Sequence, residues 1–382
     1  MKRLLIILSV FLGITANAVH AEPSLIPAPP ELAASSYILM DAYTGDILVS
    51  HNADEKLPPA SLTKLMTAYI TEYELARGDI SVDDKVTISE KAWRMKGSRT
   101  FVREGTRVPL MTLMQGMIVQ SGNDATVAIA EHIAGSESAF ADLMNQHAKL
   151  LGMKDSHFVN ATGYPADDHY SSAHDIAIVA RATITQFPEN YPIYAEKYFT
   201  YNNIRQPNRN RLLWRDKSVD GLKTGHTEAA GFCLAASAVR NGTRLITVVM
   251  GTKSDEARAS ESQKLLDYGF RYYETRKLYS RGQVVNNARV WGGSQNTVKV
   301  GFTDDVLVTL PRQDADSLPA SLQMNPEIEA PIKVGDVLGK VVVGTAGNVV
   351  LERNVVALEP VEQGGFFKRI FDKIKLFFMN LF

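Results

Sequence analysis

The chain has 382 residues, 45% hydrophobic and 22% charged, a balance that excludes a disordered chain and leaves length for two domains. Its formal net charge of −1 gives no global basic field, so nucleic acid is not an expected partner. The single cysteine, Cys233, excludes an intramolecular disulfide, and its apolar setting in AAGFCLAASAV reads as inert core.

Residues 1–21 carry Lys2 and Arg3, then an apolar run from Leu4 to Ile14, then small residues up to Ala21. This is the layout of a secretory signal, with cleavage expected after Ala21 and Ala18 as the second choice. The run is short for a membrane span. A Pro-rich leader follows. SSYILMDAYTGDILVSHNAD then reads as two strands about the turn Asp41–Gly45. PPASLTKLMTAYI opens a helix expected to run to Gly78. In LMTLMQGMIVQSGNDATVAIAEHIAG two helices are expected with a break at Ser121-Gly122-Asn123, and residues 136–151 and 172–186 are also helical in period. From Val219 the pattern turns to strands: VDGLKTGHT, GFCLAASAVRNG and TRLITVVMGT, the last two joined by Asn241-Gly242, a hairpin signal. SESQKLLDYGFRYYET is expected to be a closing helix. Strands at both ends of the segment with helices between them imply an α+β domain over residues 26–281, its sheet joining those two ends.

Residues 282–361 hold short alternating strands with Gly, Pro and Asn punctuation and read as a small all-β domain. A link read as flexible, Glu362–Gly365, leads to GGFFKRIFDKIKLFFMNLF. On a helical wheel Phe366, Phe367, Ile370, Phe371, Ile374, Phe377, Phe378, Leu381 and Phe382 share one side, with Lys368, Arg369, Asp372, Lys373 and Lys375 on the other. Residues 364–382 are therefore expected to lie along a membrane surface, since charges recur too often for a span.

Ser61 and Lys64 stand three apart, close enough for the amine to reach the hydroxyl. Ser121-Gly122-Asn123 and Lys223-Thr224-Gly225 follow in order. S-x-x-K, S-x-N and K-T-G form the motif set of serine penicillin-binding proteins and class A β-lactamases. With YILMDAYTGDILVSHNAD, SGNDA, DGLKTGHTEAAGFCLAASA and ESQKLLDYGFRYYET, the chain from residue 26 onward resembles the low-molecular-mass D-alanyl-D-alanine carboxypeptidases of the penicillin-binding protein 5 and 6 type.

That resemblance implies a penicillin-binding, transpeptidase-like domain, a β-rich stalk and a peripheral anchor at the periplasmic face of the inner membrane. It implies removal of the terminal D-alanine from peptidoglycan pentapeptides through an acyl-enzyme, with β-lactams as covalent inhibitors and no metal or cofactor. Ser61 would be the nucleophile and Lys64 its base, which requires a lowered amine pKa from burial and a second cation, for which Lys223 is the candidate. Ser121 would relay a proton and Asn123 would hold Lys64 or the substrate amide. The resemblance places oxyanion N–H donors at Ser61 and His226, and substrate contacts at Lys223, Thr224, Gly225 and Arg258. His157, His169, His174 and Asp175 lack metal-ligand spacing, the histidines reading as peripheral and Asp175 as structural. The alternatives are a D,D-endopeptidase, a β-lactamase with a deacylating glutamate (Glu189 and Glu196 lie in the interval before K-T-G), or a non-catalytic peptidoglycan or β-lactam sensor.

Overall fold

The computed structural model describes residues 26–313, 319–345 and 348–379, so the expected export signal and residues 380–382 lie outside it. Strands β1 (Ser36–Asp41) and β2 (Ile47–His51) form a hairpin. They join β3 (Val219–Thr227), β4 (Gly231–Arg240) and β5 (Thr243–Thr252) in one antiparallel sheet of order β2-β1-β5-β4-β3. Distant segments meet here as expected, Tyr37 standing opposite Val249. Alternation along each strand splits the core into two. Ile38, Met40, Ile246, Val248, Cys233 and Ala235 face one cluster, and Leu39, Leu245, Val249, Leu234 and Ala236 face the other.

The first cluster is roofed by α1 (Lys64–Arg77), α2 (Leu110–Val119), α3 (Asn123–Ala134), α4 (Glu137–Leu151) and α5 (Ala173–Gln186). The second is covered by α6 (Asp255–Tyr272), whose Leu265, Leu266 and Phe270 pack on β1 and β5. Gly78 ends α1 in the left-handed conformation, φ 78°, as its place after Arg77 suggested. Burial raises the Cys233 thiol to about 11, in keeping with inert core.

Helix α6 starts earlier than the sequence suggested, at Asp255 behind the cap Ser254, and stops at Tyr272. Tyr273, Glu274 and Thr275, expected to finish that helix, instead open a strand, Tyr273–Tyr279, paired with Val306–Pro311. Pairing with its partner strand outweighs helical period there. This ribbon leads into a five-stranded sheet ordered Val284–Arg289, Thr297–Gly301, Asn348–Ala357, Val337–Thr345 and Ala320–Met324. Val290, Val298, Val300, Val341 and Val355 form its core.

The two parts are stapled where β1 ends. Asp41, fully buried, accepts N–H bonds from Tyr43 (2.8 Å) and Thr44 (3.0 Å) and a hydroxyl bond from Thr275. Thr44 Oγ1 meets Thr309 Oγ1 at 2.6 Å, and the Thr275 N–H donates to Thr243 Oγ1 at 2.8 Å.

Helix α7 (Phe366–Met379) follows, and no described helix is long and apolar enough to cross a membrane. The link before it is pinned rather than flexible. Val361 pairs with Ile332, the Ser294 N–H donates to Glu362 O at 2.7 Å, and the Gly364 N–H donates to Gly292 O at 2.8 Å.

Candidate active site

Ser61 does not open an α-helix. Ala60–Thr63 is a 3-10 turn behind Pro59, and α1 begins only at Lys64. In a 3-10 turn residues i and i+3 eclipse one another, which stacks Lys64 on Ser61 and sets Nζ 2.9 Å from Oγ. The turn starts from Ala60 at φ 46°, a left-handed backbone that an alanine adopts only under constraint. Gly163 makes room for this turn: a Cβ there would lie 1.8 Å from Ala60 O.

Lys64 is 1% exposed, and its Nζ also donates to Asn123 Oδ1 at 2.8 Å and Thr162 O at 2.6 Å. Burial first, and the Arg209 guanidinium second, bring its pKa to about 7, against the opposite pull of Asp124 and Glu137. Arg209 is thus a second cation acting on this amine, and the coupling to Lys223 expected from the sequence is present as well, since Lys64 is among the charges that depress Lys223. Lys223 is itself held well below the ordinary lysine range, by burial first and then by Lys64, Arg209 and Arg258. Its Nζ donates to Thr224 O at 3.0 Å.

The helix break falls where the sequence placed it. Asn123 begins α3, with Oδ1 toward Lys64 and Nδ2 donating to Lys96 O at 2.7 Å. The next residue, Asp124, accepts N–H bonds from Thr100 (2.7 Å), Phe101 (2.8 Å) and Val102 (3.2 Å), which ties the loop beside the cleft to α3. Ser121, at φ 66°, is 3% exposed, and its hydroxyl has no hydrogen-bond partner among the described residues.

Lys223, Thr224 and Gly225 lie on β3, the edge strand of the sheet. A Cβ on Gly225 would be 3.0 Å from Pro59 O and 3.3 Å from Leu62 N, so a glycine here lets the strand lie against the turn that carries Ser61. His226 follows, exposed, its ring stacked on Phe232 at 3.9 Å. Arg258, in the first turn of α6, is 6% exposed and far from the solvated arginine such a position suggests. Its Nη1 donates to Gly225 O at 3.0 Å and its Nη2 pairs with Asp255.

These groups share one cleft of about 900 Å³, lined by Ser61, Ser121, Asn123, Thr224, Gly225, His226 and Arg258 and closed by the 162–165 loop and the 207–211 segment. No glutamate lines it among the described residues. Glu196 is engaged by Gln115 at 3.0 Å, and Glu189 borders a different cavity with Glu72.

Sequence reasoning missed the 160–164 turn and Arg209, which stand in no motif. Asn160 Oδ1 accepts N–H bonds from Thr162 (3.1 Å) and Gly163 (2.8 Å), aiming Thr162 O at Lys64. Arg209 lines the cleft and makes no ion pair among the described residues, whereas Arg211 and Arg258 are both paired with Asp255. The Asn160–Gly163 turn chemistry was the one available signal.

His169 is not peripheral. It is 7% exposed; its Nδ1 accepts the Val159 N–H at 3.2 Å, so Nε2 carries the proton and donates to Thr63 Oγ1 at 2.9 Å. Burial, then His157 and Lys64, lower it to about 4, keeping it neutral. His157 and His174 stay partly exposed. Asp175 is structural, accepting from the Asp155 N–H and Ser156 Oγ, both at 2.7 Å. Among the described residues no cluster of three potential metal ligands occurs.

Comparison with known proteins covers both parts of the chain. A family model described as D-alanyl-D-alanine carboxypeptidase matches residues 24–254, and one described as penicillin-binding protein 5, C-terminal domain, matches residues 273–363. D-alanyl-D-alanine carboxypeptidase DacA of Escherichia coli K12 is 42% identical over 96% of this chain and 94% of its own length. DacC of the same strain is 41% identical over 98% of this chain and 95% of its own. Among solved structures, penicillin binding protein 5 from Haemophilus influenzae is 41% identical with a TM-score of 0.83, covering 88% of this chain and 100% of that one. Penicillin binding protein 6B from Escherichia coli is 37% identical with a TM-score of 0.73, covering 87% of this chain and 98% of that one. Because the likeness runs through the cleft and on through the β-rich part behind it, the chain belongs to the D-alanyl-D-alanine carboxypeptidases, serine-type hydrolases of the penicillin-binding protein 5 kind.

Proposed function

We propose that Ser61 attacks the carbonyl between the terminal D-alanines of a peptidoglycan pentapeptide, keeps the acyl group as an ester and releases D-alanine, and that β-lactams acylate the same oxygen. The observation that carries this reading is the Lys64 amine, 2.9 Å from Ser61 Oγ and brought by burial to about 7. Such an amine is largely unprotonated just above neutrality and can take the serine proton, which an ordinary lysine cannot.

The remaining residues fall into supporting roles. Ser121, whose buried hydroxyl has no partner among the described residues, would pass the proton from Lys64 to the leaving nitrogen. Asn123 fixes Lys64 through Oδ1. The backbone N–H groups of Ser61 and His226 would stabilise the oxyanion. Thr224 and Gly225, on an edge strand, offer backbone and hydroxyl partners to an extended peptide. The substrate's terminal carboxylate would meet Arg209 and Arg258. Arg258 is already held by Asp255 and Gly225, whereas Arg209 lines the cleft with no ion pair among the described residues. No cofactor enters this scheme. Residues 1–21 would direct export, and α7 would rest at the periplasmic face of the inner membrane, its apolar side chains being exposed.

Intact-mass spectrometry after exposure to penicillin and to a pentapeptide tests the scheme. The unaltered chain should gain one penicilloyl adduct and release D-alanine, and Ser61→Ala should do neither. An adduct on Ser61→Ala would move the nucleophile elsewhere.

A further inference from the structure

Helix α7 carries a single acidic residue, Asp372, and it does not face solvent. Asp372 is 9% exposed; its Oδ2 accepts the Gly292 N–H at 2.9 Å, and its Oδ1 lies 3.4 Å from Arg289 Nη2. Arg369 and Leu376, one turn to either side, look the same way. With Asp372, Trp291, Gly292 and Glu329 they border a narrow gap of about 120 Å³ between helix and β-rich part. Together with the pinned link before it, this holds α7 by its polar side. Phe366, Phe367, Ile370, Phe371, Ile374, Phe377 and Phe378 point away, each between 40% and 76% exposed.

We propose that Asp372 is a clasp that locks α7 flat on the β-rich part and turns its apolar face outward as a rigid foot, so that the enzyme stands on a lipid bilayer at one attitude instead of hanging from a loose tether. An aspartate within a helix is a poor helix former, and burying its charge costs free energy unless donors meet it. Both costs are offset only if the helix docks where Gly292 and Arg289 wait; a tether would need neither. The occupant of the outward face is a bilayer with anionic headgroups, because Lys368 and Lys375 border one edge of the apolar stripe and Lys373 the other. The occupant rests on the membrane reading above, whereas the clasp is a property of the protein alone.

The test uses the chain from Glu22 onward, with vesicles of phosphatidylglycerol and phosphatidylcholine. Leu150→Cys gives a dye site that is 79% exposed, while the native Cys233 is 0% exposed and leaves labelling specific. Energy transfer from that dye to a headgroup acceptor reads the height of the catalytic part above the lipid. Asp372→Ala should keep the vesicle-bound fraction, since the apolar face is intact, but broaden the distribution of heights. In lipid-free protein it should speed hydrogen exchange at the Gly292 amide about tenfold, through loss of a charged acceptor. An unchanged height distribution together with unchanged Gly292 exchange would overturn the clasp. The membrane reading fails separately if the unaltered chain does not sediment with vesicles, or if a chain lacking residues 364–382 still does. Dimers that persist in the presence of vesicles would assign the outward face to a second copy instead.

Discussion

Lys64 concentrates the chemistry into one amine, and its environment fixes how activity responds to pH. Its pKa of about 7 is set by burial first and Arg209 second. In the proposed scheme the unprotonated form takes the serine proton, so acylation should fall as pH drops through 7 and level off above it. Arg209→Ala removes a repelling cation and lets the amine hold its proton more tightly. The acid limb of the penicillin acylation rate should then move up by roughly half to one pH unit. A limb that stays in place would remove Arg209 from the control of Lys64. Stability carries the matching cost. The unfolded amine keeps its proton up to about 10.5 and the folded one only to about 7, so the penalty of burying Lys64 is complete at and below 7 and fades as pH rises between those values. The pairing of Ser61 with Lys64 could be read from S-x-x-K, because three-residue spacing survives any helical geometry. The cation that tunes Lys64 could not, because Arg209 lies 145 positions away and meets it only through the fold.

Among the elements, those with strong local signals appeared where the sequence put them. The break at Ser121–Asn123, the hairpin at Asn241-Gly242 and the stop at Gly78 all fell where expected, and the last two rest on residues that favour a left-handed backbone, with φ 51° at Asn241, 83° at Gly242 and 78° at Gly78. The 3-10 turn at Ala60–Thr63 had no such signal. Pro58-Pro59 suggests a helix start, but the left-handed Ala60 sits against the distant 160–164 turn, which approaches it at Gly163. That contact is testable. Gly163→Ala would place a Cβ 1.8 Å from Ala60 O on a backbone with φ +77°. It should cost about 2–4 kcal/mol of stability and slow penicillin acylation at least about tenfold. Gly105→Ala is the matched control: φ is +73° but nothing lies within 4 Å. It should cost about 1 kcal/mol and leave acylation unchanged. Equal effects from the two substitutions would show that backbone strain alone, and not the contact with the nucleophile's turn, governs the site. The strand at Tyr273–Tyr279 escaped the sequence for a related reason, since its partner, Val306–Pro311, is distant in the chain.

For the whole molecule, the sequence disclosed the order of parts but not how they are joined. Asp41 belongs to the catalytic sheet through β1 and to the ribbon beyond α6 through Thr275, and Thr44 and Thr309 close the joint. No pattern in the sequence marks a side chain that serves two bodies at once. Calorimetry of the full chain should therefore show one endotherm, and two resolved peaks would mean that the joint does not transmit. The staple at Asp41 carries a mechanical consequence. It grips the strand directly beside β5, so a tug on the β-rich part is delivered to the middle of the catalytic sheet and not to a frayed margin. An enzyme held at one end by a surface in motion would feel each jolt as a rigid lever does, and its nucleophile would travel with its footing.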